Sequence, residues 1–195
     1  MSNRVRLQVF TDFVCPWCYL CTPRVARLER SSNIDVQWVY FPLHPDTPAE
    51  GLLLKELFAG RNFDFEAAQA HLKTLLDAEG LKFNARTHTY NSRLAQELAK
   101  AFDSLRDALY LAYFEDSRNI GDIDVLVDVA ASKGIPADQA RHVLTERTHK
   151  DAVDADWALA RSYGITGVPS FIAGGRKVVG AQPYSTLERL ISMAS

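Results

Sequence analysis

Apolar and polar side chains alternate at the start of the chain. Val5, Leu7 and Val9 stand against Arg6, Gln8 and Phe10, and this two-residue period predicts a strand. A helical stretch with apolar Val25 and Leu28 follows, and Ser31-Ser32-Asn33 breaks it. Residues 34–41 are rich in β-branched and aromatic side chains and predict a second strand. From Pro42 to about Tyr163 the strand signals vanish. Leu94, Leu98, Ala101, Leu105, Ala108 and Ala112 recur at helical spacing, which predicts one long amphipathic helix. Shorter helices fit 65–79, 124–133 and 137–147, with Gly80 and Gly134 as stops and Pro136 as a start. Val153, Trp157 and Ala160 suggest a further helix ended by Gly164. Strand character returns at 170–173, Gly174-Gly175 signals a hairpin, and 177–179 completes it. Ser185-x-x-Glu188 reads as a capping box opening a last helix.

The order is therefore β-α-β, a helical block, then β-β-α. An α/β architecture follows, in which the first and last parts share one sheet and an all-helical domain is inserted between them. The boundaries expected are 1–45 with 164–195 for the sheet domain and 46–163 for the insertion. The helix around 151–163 is assignable to either. A chain of 195 residues accommodates this as one domain with an insertion.

Composition narrows the function by exclusion. Net charge is −2, with 47% hydrophobic and 24% charged residues, as in an ordinary globular protein. No basic run stands out, so the electrostatic signature of a nucleic-acid or anionic-membrane binder is missing. No stretch approaches the ~18 apolar residues of a membrane span. The first ten residues hold no apolar core of the signal-peptide kind, and the expected location is cytoplasmic.

Chemistry enters with the cysteines. All three lie between positions 15 and 21, whereas a disulfide scaffold would spread them along the chain. Cys15-Pro16-Trp17-Cys18 sits where the first strand hands over to the first helix. A helix N-terminus favours a thiolate through its unpaired N–H groups and its dipole. Pro16 suits the first helical position, where a missing N–H costs nothing. The two-residue spacing lets Cys18 close a disulfide with Cys15. The expectation is an exposed attacking thiol at Cys15, a more buried resolving thiol at Cys18, and a redox-active disulfide with no bound cofactor. His44, His71, His88, His142 and His149 are scattered without metal-ligand spacing, so no metal site is expected. Cys21, three residues on, fits a small buried hydrophobe or an auxiliary thiol exchanging with Cys18.

Other residues carry two readings each. Asp12, at the strand end, fits a turn-forming acid, a proton relay or a contact to a substrate amide. Trp17 fits an exposed apolar contact beside the disulfide or a packing residue. His44 follows the second strand as a loop histidine or a cleft-lining one. Asn91 and Ser92 precede a helix and fit capping or ligand contact, and Gln182 has similar standing. Gly167-Val168-Pro169-Ser170 opens the late strand, where proline is permitted.

Asp12-Phe-Val-Cys15-Pro16-Trp17-Cys18-Tyr19, then Phe41-Pro-Leu-His-Pro-Asp46, then Gly167-Val-Pro-Ser-Phe171 together resemble the DsbA family, and within it the FrnE-like dithiol–disulfide isomerases. Asn91-Ser-Arg-Leu-Ala95 and Gly180-Ala-Gln-Pro183 fit the same pattern. The resemblance implies a thioredoxin-like fold with an inserted helical domain and a protein-disulfide oxidoreductase or isomerase. It also implies a cis Pro169 facing the Cys15 sulfur, with Val168 offering backbone N–H and C=O to an extended substrate. Partners would be protein or small-molecule thiols and disulfides, with glutathione open as a co-substrate and the state monomer or homodimer. Two features depart from the pattern. DsbA itself carries Pro-His between its cysteines where this chain has Pro-Trp, and Cys21 replaces a small or apolar residue. The alternative activity is a glutathione-dependent transferase or isomerase of the kappa-class and hydroxychromene-carboxylate isomerase branch. Those relatives generally carry serine at the position of Cys15. A non-catalytic binding module is a third class, against which the intact cysteine pair argues.

Overall fold

The computed structural model describes residues 4–60 and 64–194. The elements run β1 (Val5–Thr11), α1 (Pro16–Ser31), β2 (Ile34–Tyr40), β3 (Leu52–Leu53), α2 (Leu54–Leu57), α3 (Phe65–Ala78), β4 (His88–Thr89) and α4 (Arg93–Ala101). They continue as α5 (Arg106–Phe114), α6 (Ile123–Ser132), α7 (Ala137–Thr145), α8 (Lys150–Ser162), β5 (Ser170–Ala173), β6 (Arg176–Val179) and α9 (Tyr184–Ser192). The chain divides into two compact units, one of residues 1–43 with 154–195 and one of residues 44–153.

The first unit is built on a four-stranded sheet in the order β2-β1-β5-β6. β1 and β2 run parallel from Val5↔Ile34 to Thr11↔Tyr40, joined through α1. β5 pairs antiparallel with β1, Val9 opposite Phe171, and β6 closes the hairpin, Ala173 opposite Arg176. The hairpin turn is Gly174-Gly175 with φ of 53° and 73°, a pair of left-handed residues that matches strand twist at no steric cost. Alternation sorts the side chains to the two faces of the sheet. Leu7, Val9, Phe171 and Ala173 pack with Cys21, Val25 and Leu28 of α1 and with Leu187, Leu190 and Ile191 of α9. Phe10, Val39 and Ile172 pack with Ala160 of α8 and with Ile165.

Several expectations need correction. The helix around 151–163, left open between the two parts, divides at 153/154. Most of α8 goes with the sheet because Ala160 sits in that core and the Asp156 carboxylate accepts the Tyr40 N–H at 2.8 Å. The capping box does not form, because Ser185 lies inside α9, whose N-cap is Pro183 without a side-chain cap. Sequence reading also passed over Pro23 inside α1. Proline cannot donate to the carbonyl four residues back, and here the Thr22 hydroxyl donates to that carbonyl, Tyr19 O, at 2.9 Å.

The second unit is helical apart from a two-residue ladder, Leu52↔Thr89 and Leu53↔His88, too short to leave a periodic trace. The single long helix expected over 94–112 is two helices. Phe102 leaves helical geometry at φ −138°, ψ 86°, a 3₁₀ turn at Asp103–Leu105 follows, and α5 begins at Arg106. The apolar period survives because α4 and α5 both turn apolar residues inward; Leu98, Leu105 and Leu109 are fully buried. The Asp122 carboxylate caps α6 by accepting from Asp124 N and Val125 N.

A buried ion cluster stitches this unit together. The Glu97 side chain is 0% exposed and accepts from Arg93 Nε at 2.6 Å, Arg147 Nε at 2.7 Å and Arg147 Nη2 at 2.6 Å. Burial alone would push the Glu97 carboxyl up. The hydrogen bonds and charges of Arg147 and Arg93 outweigh it and hold the group below the usual carboxylate range. A depressed pKa stabilises the fold fully above the unfolded-chain value, roughly 4.3, and the contribution fades as pH falls through the folded value. Glu97→Gln should therefore cost about 1–3 kcal/mol at neutral pH. The gap from the unmutated chain should narrow below about pH 4.3. Denaturant melts at pH 7 and in acid read both numbers, and a gap that stays constant with pH would contradict the assignment.

Candidate active site

The site grows out of the turn between β1 and α1. Asp12 is fully buried, and its carboxylate accepts from Val14 N at 3.1 Å and from Leu43 N at 2.9 Å. Its main-chain carbonyl accepts from Cys15 N at 3.1 Å. The turn so formed delivers Cys15 as the N-cap of α1, at φ −88° and ψ 112°, with Pro16 at the first helical position. The Cys15 carbonyl accepts from Cys18 N at 3.1 Å and Tyr19 N at 3.2 Å, so the first helical bonds fix the spacing of the two sulfurs. Asp12 thus shapes the loop, as a turn-forming acid does.

From the other end of the chain, the loop before β5 brings Val168. The Cys15 thiol donates to the Val168 carbonyl at 3.4 Å, and the Val168–Pro169 peptide bond is cis. The Ser170 hydroxyl donates to Gly167 O at 2.8 Å and closes this loop on itself.

Cys15 differs from expectation in one respect. It is 2% exposed, against 3% for Cys18, so neither thiol stands out into solvent. The Val168 carbonyl occupies the direction in which the Cys15 thiol points. Trp17 is the open member of the motif, at 38% exposure. The two sulfurs are told apart by electrostatics rather than by exposure. Burial pushes the Cys18 thiol well above the ordinary range, and the hydrogen bond and charge of Cys15 add to the rise. The Thr11 side chain and the Asp12 backbone act against it by hydrogen bonds to the Cys18 sulfur.

The remaining candidates have partners of their own. Cys21 packs in the core beneath α1 at 2% exposure, with Leu7, Val25 and Leu28 in the same cluster. The Gln182 side chain folds back to donate to Val179 O at 2.6 Å. His44 opens the helical unit, where its carbonyl accepts from the Thr47 N–H at 3.3 Å and hydroxyl at 3.0 Å. Asn91 ties that unit's loops, donating to Pro45 O at 2.8 Å and Thr47 O at 3.2 Å and accepting from Arg93 N at 3.0 Å. Thr11 is the residue that sequence reading missed. The signal was present: Val5, Leu7, Val9 and Thr11 share one face of β1, and a hydroxyl ends an otherwise apolar row on the side that α1 covers. Among the described residues no group of histidine, cysteine, aspartate or glutamate is placed to hold a metal, and no helix is long and apolar enough to cross a membrane.

Comparison with known proteins places this arrangement. The uncharacterized protein YwbO of Bacillus subtilis (strain 168) is 27% identical, over 96% of each chain. The crystal structure of SCO1869 from Streptomyces coelicolor, described as a probable DsbA oxidoreductase, superposes with a TM-score of 0.86. It is 29% identical, over 98% of this chain and 90% of that one. The cytosolic disulfide reductase DsbM from Pseudomonas aeruginosa, solved with GSH, shares the fold. Its TM-score is 0.61 and its identity 19%, over 96% of this chain and 99% of that one. The model of the DSBA-like thioredoxin domain matches residues 6–192, nearly the whole chain, and the protein belongs to that family.

Proposed function

We propose that this protein is a FrnE-like dithiol–disulfide oxidoreductase working through Cys15 and Cys18. One observation carries the reading: a Cys-x-x-Cys pair opens α1 with the Cys15 sulfur 3.4 Å from the Val168 carbonyl. Cys15 is the nucleophile in this reading, because it is the N-cap of α1 and lies against the Val168 carbonyl, while burial disfavours the charged form of Cys18. As thiolate, Cys15 attacks one sulfur of a substrate disulfide. A bond forms between Cys15 and that sulfur, and the other substrate sulfur leaves with the electron pair and takes a proton. Cys18 then attacks Cys15, the second substrate sulfur leaves, and the enzyme dithiol has become a disulfide. The reverse sequence oxidises a substrate dithiol. The Val168 main chain supplies pairing groups that make no demand on substrate side chains, which suits varied extended peptides. Trp17, exposed beside the pair, offers an apolar contact.

Glutathione is the proposed small-thiol partner that returns the enzyme to its dithiol form. DsbM, of the same fold, was solved with GSH. A reducing, cytoplasmic setting agrees with cysteines confined to one motif. Pro-Trp between the cysteines lacks the histidine donor of DsbA, so the strongly oxidising potential of that protein is not carried over.

Insulin reduction tests the whole reading. The protein with a thiol donor should precipitate insulin chains faster than the donor alone, and equal rates would overturn it. Cys15→Ser should abolish the activity, while Cys18→Ser should accumulate a mixed disulfide that mass spectrometry resolves. Equal alkylation of both thiols in the reduced protein would contradict the division of roles.

Cys21→Ala should retain most of the exchange rate, because Cys21 is core packing, while lowering stability by roughly 1 kcal/mol through the lost sulfur contacts. A loss of rate above about tenfold would place Cys21 in the thiol relay.

A further inference from the structure

The sheet of the first unit ends on β6, whose main chain is only half used. The left-handed pair Gly174-Gly175 makes a two-residue turn, across which Ala173 and Arg176 exchange both main-chain bonds. Bonded and non-bonded pairs then alternate along an antiparallel ladder. Gly180 N donates to Pro169 O at 2.8 Å, which continues the same alternation beyond the strand. Residues 176, 178 and 180 therefore spend their main-chain groups on the β5 side, while Lys177 and Val179 direct theirs away from the sheet. The Gln182 side chain takes the Val179 carbonyl. The Lys177 N–H and C=O and the Val179 N–H are left along the edge, and Val179 is 53% exposed.

A groove of about 530 Å³ opens beside this strand. Arg176 and Val178 line it from β6. Thr186, Arg189, Leu190 and Met193 line it from α9 and its C-cap, at the spacing that places side chains on one stripe of a helix. Leu190 is buried, Val178 half-buried and Met193 exposed, so the floor is apolar and reaches the surface. The charge around it is of one sign. Arg176, Lys177 and Arg189 line the groove and no carboxylate does. Arg176 Nη1 donates to the Met193 carbonyl at 3.0 Å. Lys177 Nζ donates to the carbonyls of Tyr163 at 3.3 Å and Gly164 at 3.4 Å. Both cations are thus held in place without being neutralised, and among the described residues none of the three is ion-paired.

We propose that β6 and the adjoining stripe of α9 form a docking site for an extended acidic segment of a partner protein, which adds to the sheet as a further strand. The edge groups of Lys177 and Val179 supply main-chain pairing. A strand added there lies roughly 4.8 Å beyond β6. Its side chains alternate between the two faces of the sheet, so one set meets the α9 stripe. On that face apolar side chains meet Leu190 and Met193, and carboxylates meet Arg176 and Arg189. On the opposite face Lys177 faces the other set. The same charges argue against a second copy of this chain as the occupant, because a two-fold pairing of β6 with β6 sets cations against their own kind. A lysine on an edge strand discourages indiscriminate pairing, and here it selects for carboxylates. Neither cysteine takes part, so the inference stands apart from the disulfide-exchange reading. Only β5 separates β6 from the strand that leads to Cys15, and the docked segment is held on the unit that carries the thiols.

A short fluorescein-labelled peptide of alternating glutamate and valine, with blocked ends and no cysteine, tests this by anisotropy against the reduced full-length protein. Saturable binding is expected. The same peptide with its central main-chain nitrogens methylated keeps the charge and blocks strand pairing, and it should bind at least about tenfold more weakly. A lysine–valine peptide should lose about tenfold or more through charge. Arg189→Glu should weaken the glutamate–valine peptide by about tenfold. Val179→Pro, which removes an outward N–H and leaves the bonds to β5 alone, should weaken it by about fivefold. No saturable binding overturns the proposal. So does equal binding of the methylated or the lysine–valine peptide, or unchanged binding to Arg189→Glu or Val179→Pro. A dimer in sedimentation equilibrium that Val179→Pro or Arg189→Glu converts to monomer also overturns it, because a second copy then occupies the edge. Circular dichroism and a thermal melt show that the variants are folded. Should Val179→Pro not fold, the methylated peptide reads the same main-chain contribution on the unmutated protein.

Discussion

The geometry of the site hangs on one buried acid. The Asp12 carboxylate receives two main-chain N–H groups, from Val14 in its own turn and from Leu43 beyond the neighbouring strand. A short acid can satisfy groups two residues on and still reach a second segment, which few other side chains do. Its main-chain carbonyl holds the Cys15 N–H. One residue thereby fixes where β1 ends, where α1 begins and how the loop after β2 passes. Without it the helix could still form, but the angle at which its first thiol meets Val168 would be unspecified. Low dielectric inside the unit strengthens these bonds and makes an unpaired partner costly.

The family's chemistry then follows from a division of labour between sequence-distant pieces. The helix start supplies two sulfurs at a fixed spacing, and the loop before β5 supplies a carbonyl and a proline ring. The cysteines differ because Cys18 lies deeper in the electrostatic sense, although both are nearly shielded from solvent.

Much of this was legible from residue order. The strand alternation at Val5, Leu7 and Val9, the hairpin glycines, and the Cys-x-x-Cys at a strand-to-helix junction each express a local rule strong enough to read unaided. The failures share a cause, which is that tertiary contact overrode a local pattern. The period from Leu94 to Ala112 is continuous, yet Phe102 leaves helical geometry without disturbing which residues face inward. Ser185 had the right neighbour for a capping box, but Pro183 already fixes the entry to α9. The helix around 151–163 could be assigned to either part from its sequence, and the hydrogen bond from Tyr40 to Asp156 together with Ala160 in the sheet core groups residues 154–162 with the sheet. Cys15 was expected in solvent because an attacking thiol must meet its substrate, and no local rule could show the Val168 carbonyl in front of it.

The pairing of β1 with β5 brings residues 8–10 against residues 170–172. Contacts so far apart in sequence form slowly, and during synthesis they cannot form at all until the later strand exists. Cys15 and Cys18 are synthesised well before the carbonyl that Cys15 meets, which follows 153 residues later. At the translation rate of roughly 5–20 residues per second, the dithiol spends on the order of ten seconds as part of a nascent chain without its counterpart. Throughout that interval the Cys15 sulfur lacks the Val168 carbonyl that covers it in the folded protein. The contact that covers the Cys15 sulfur becomes possible only once residue 168 has been made.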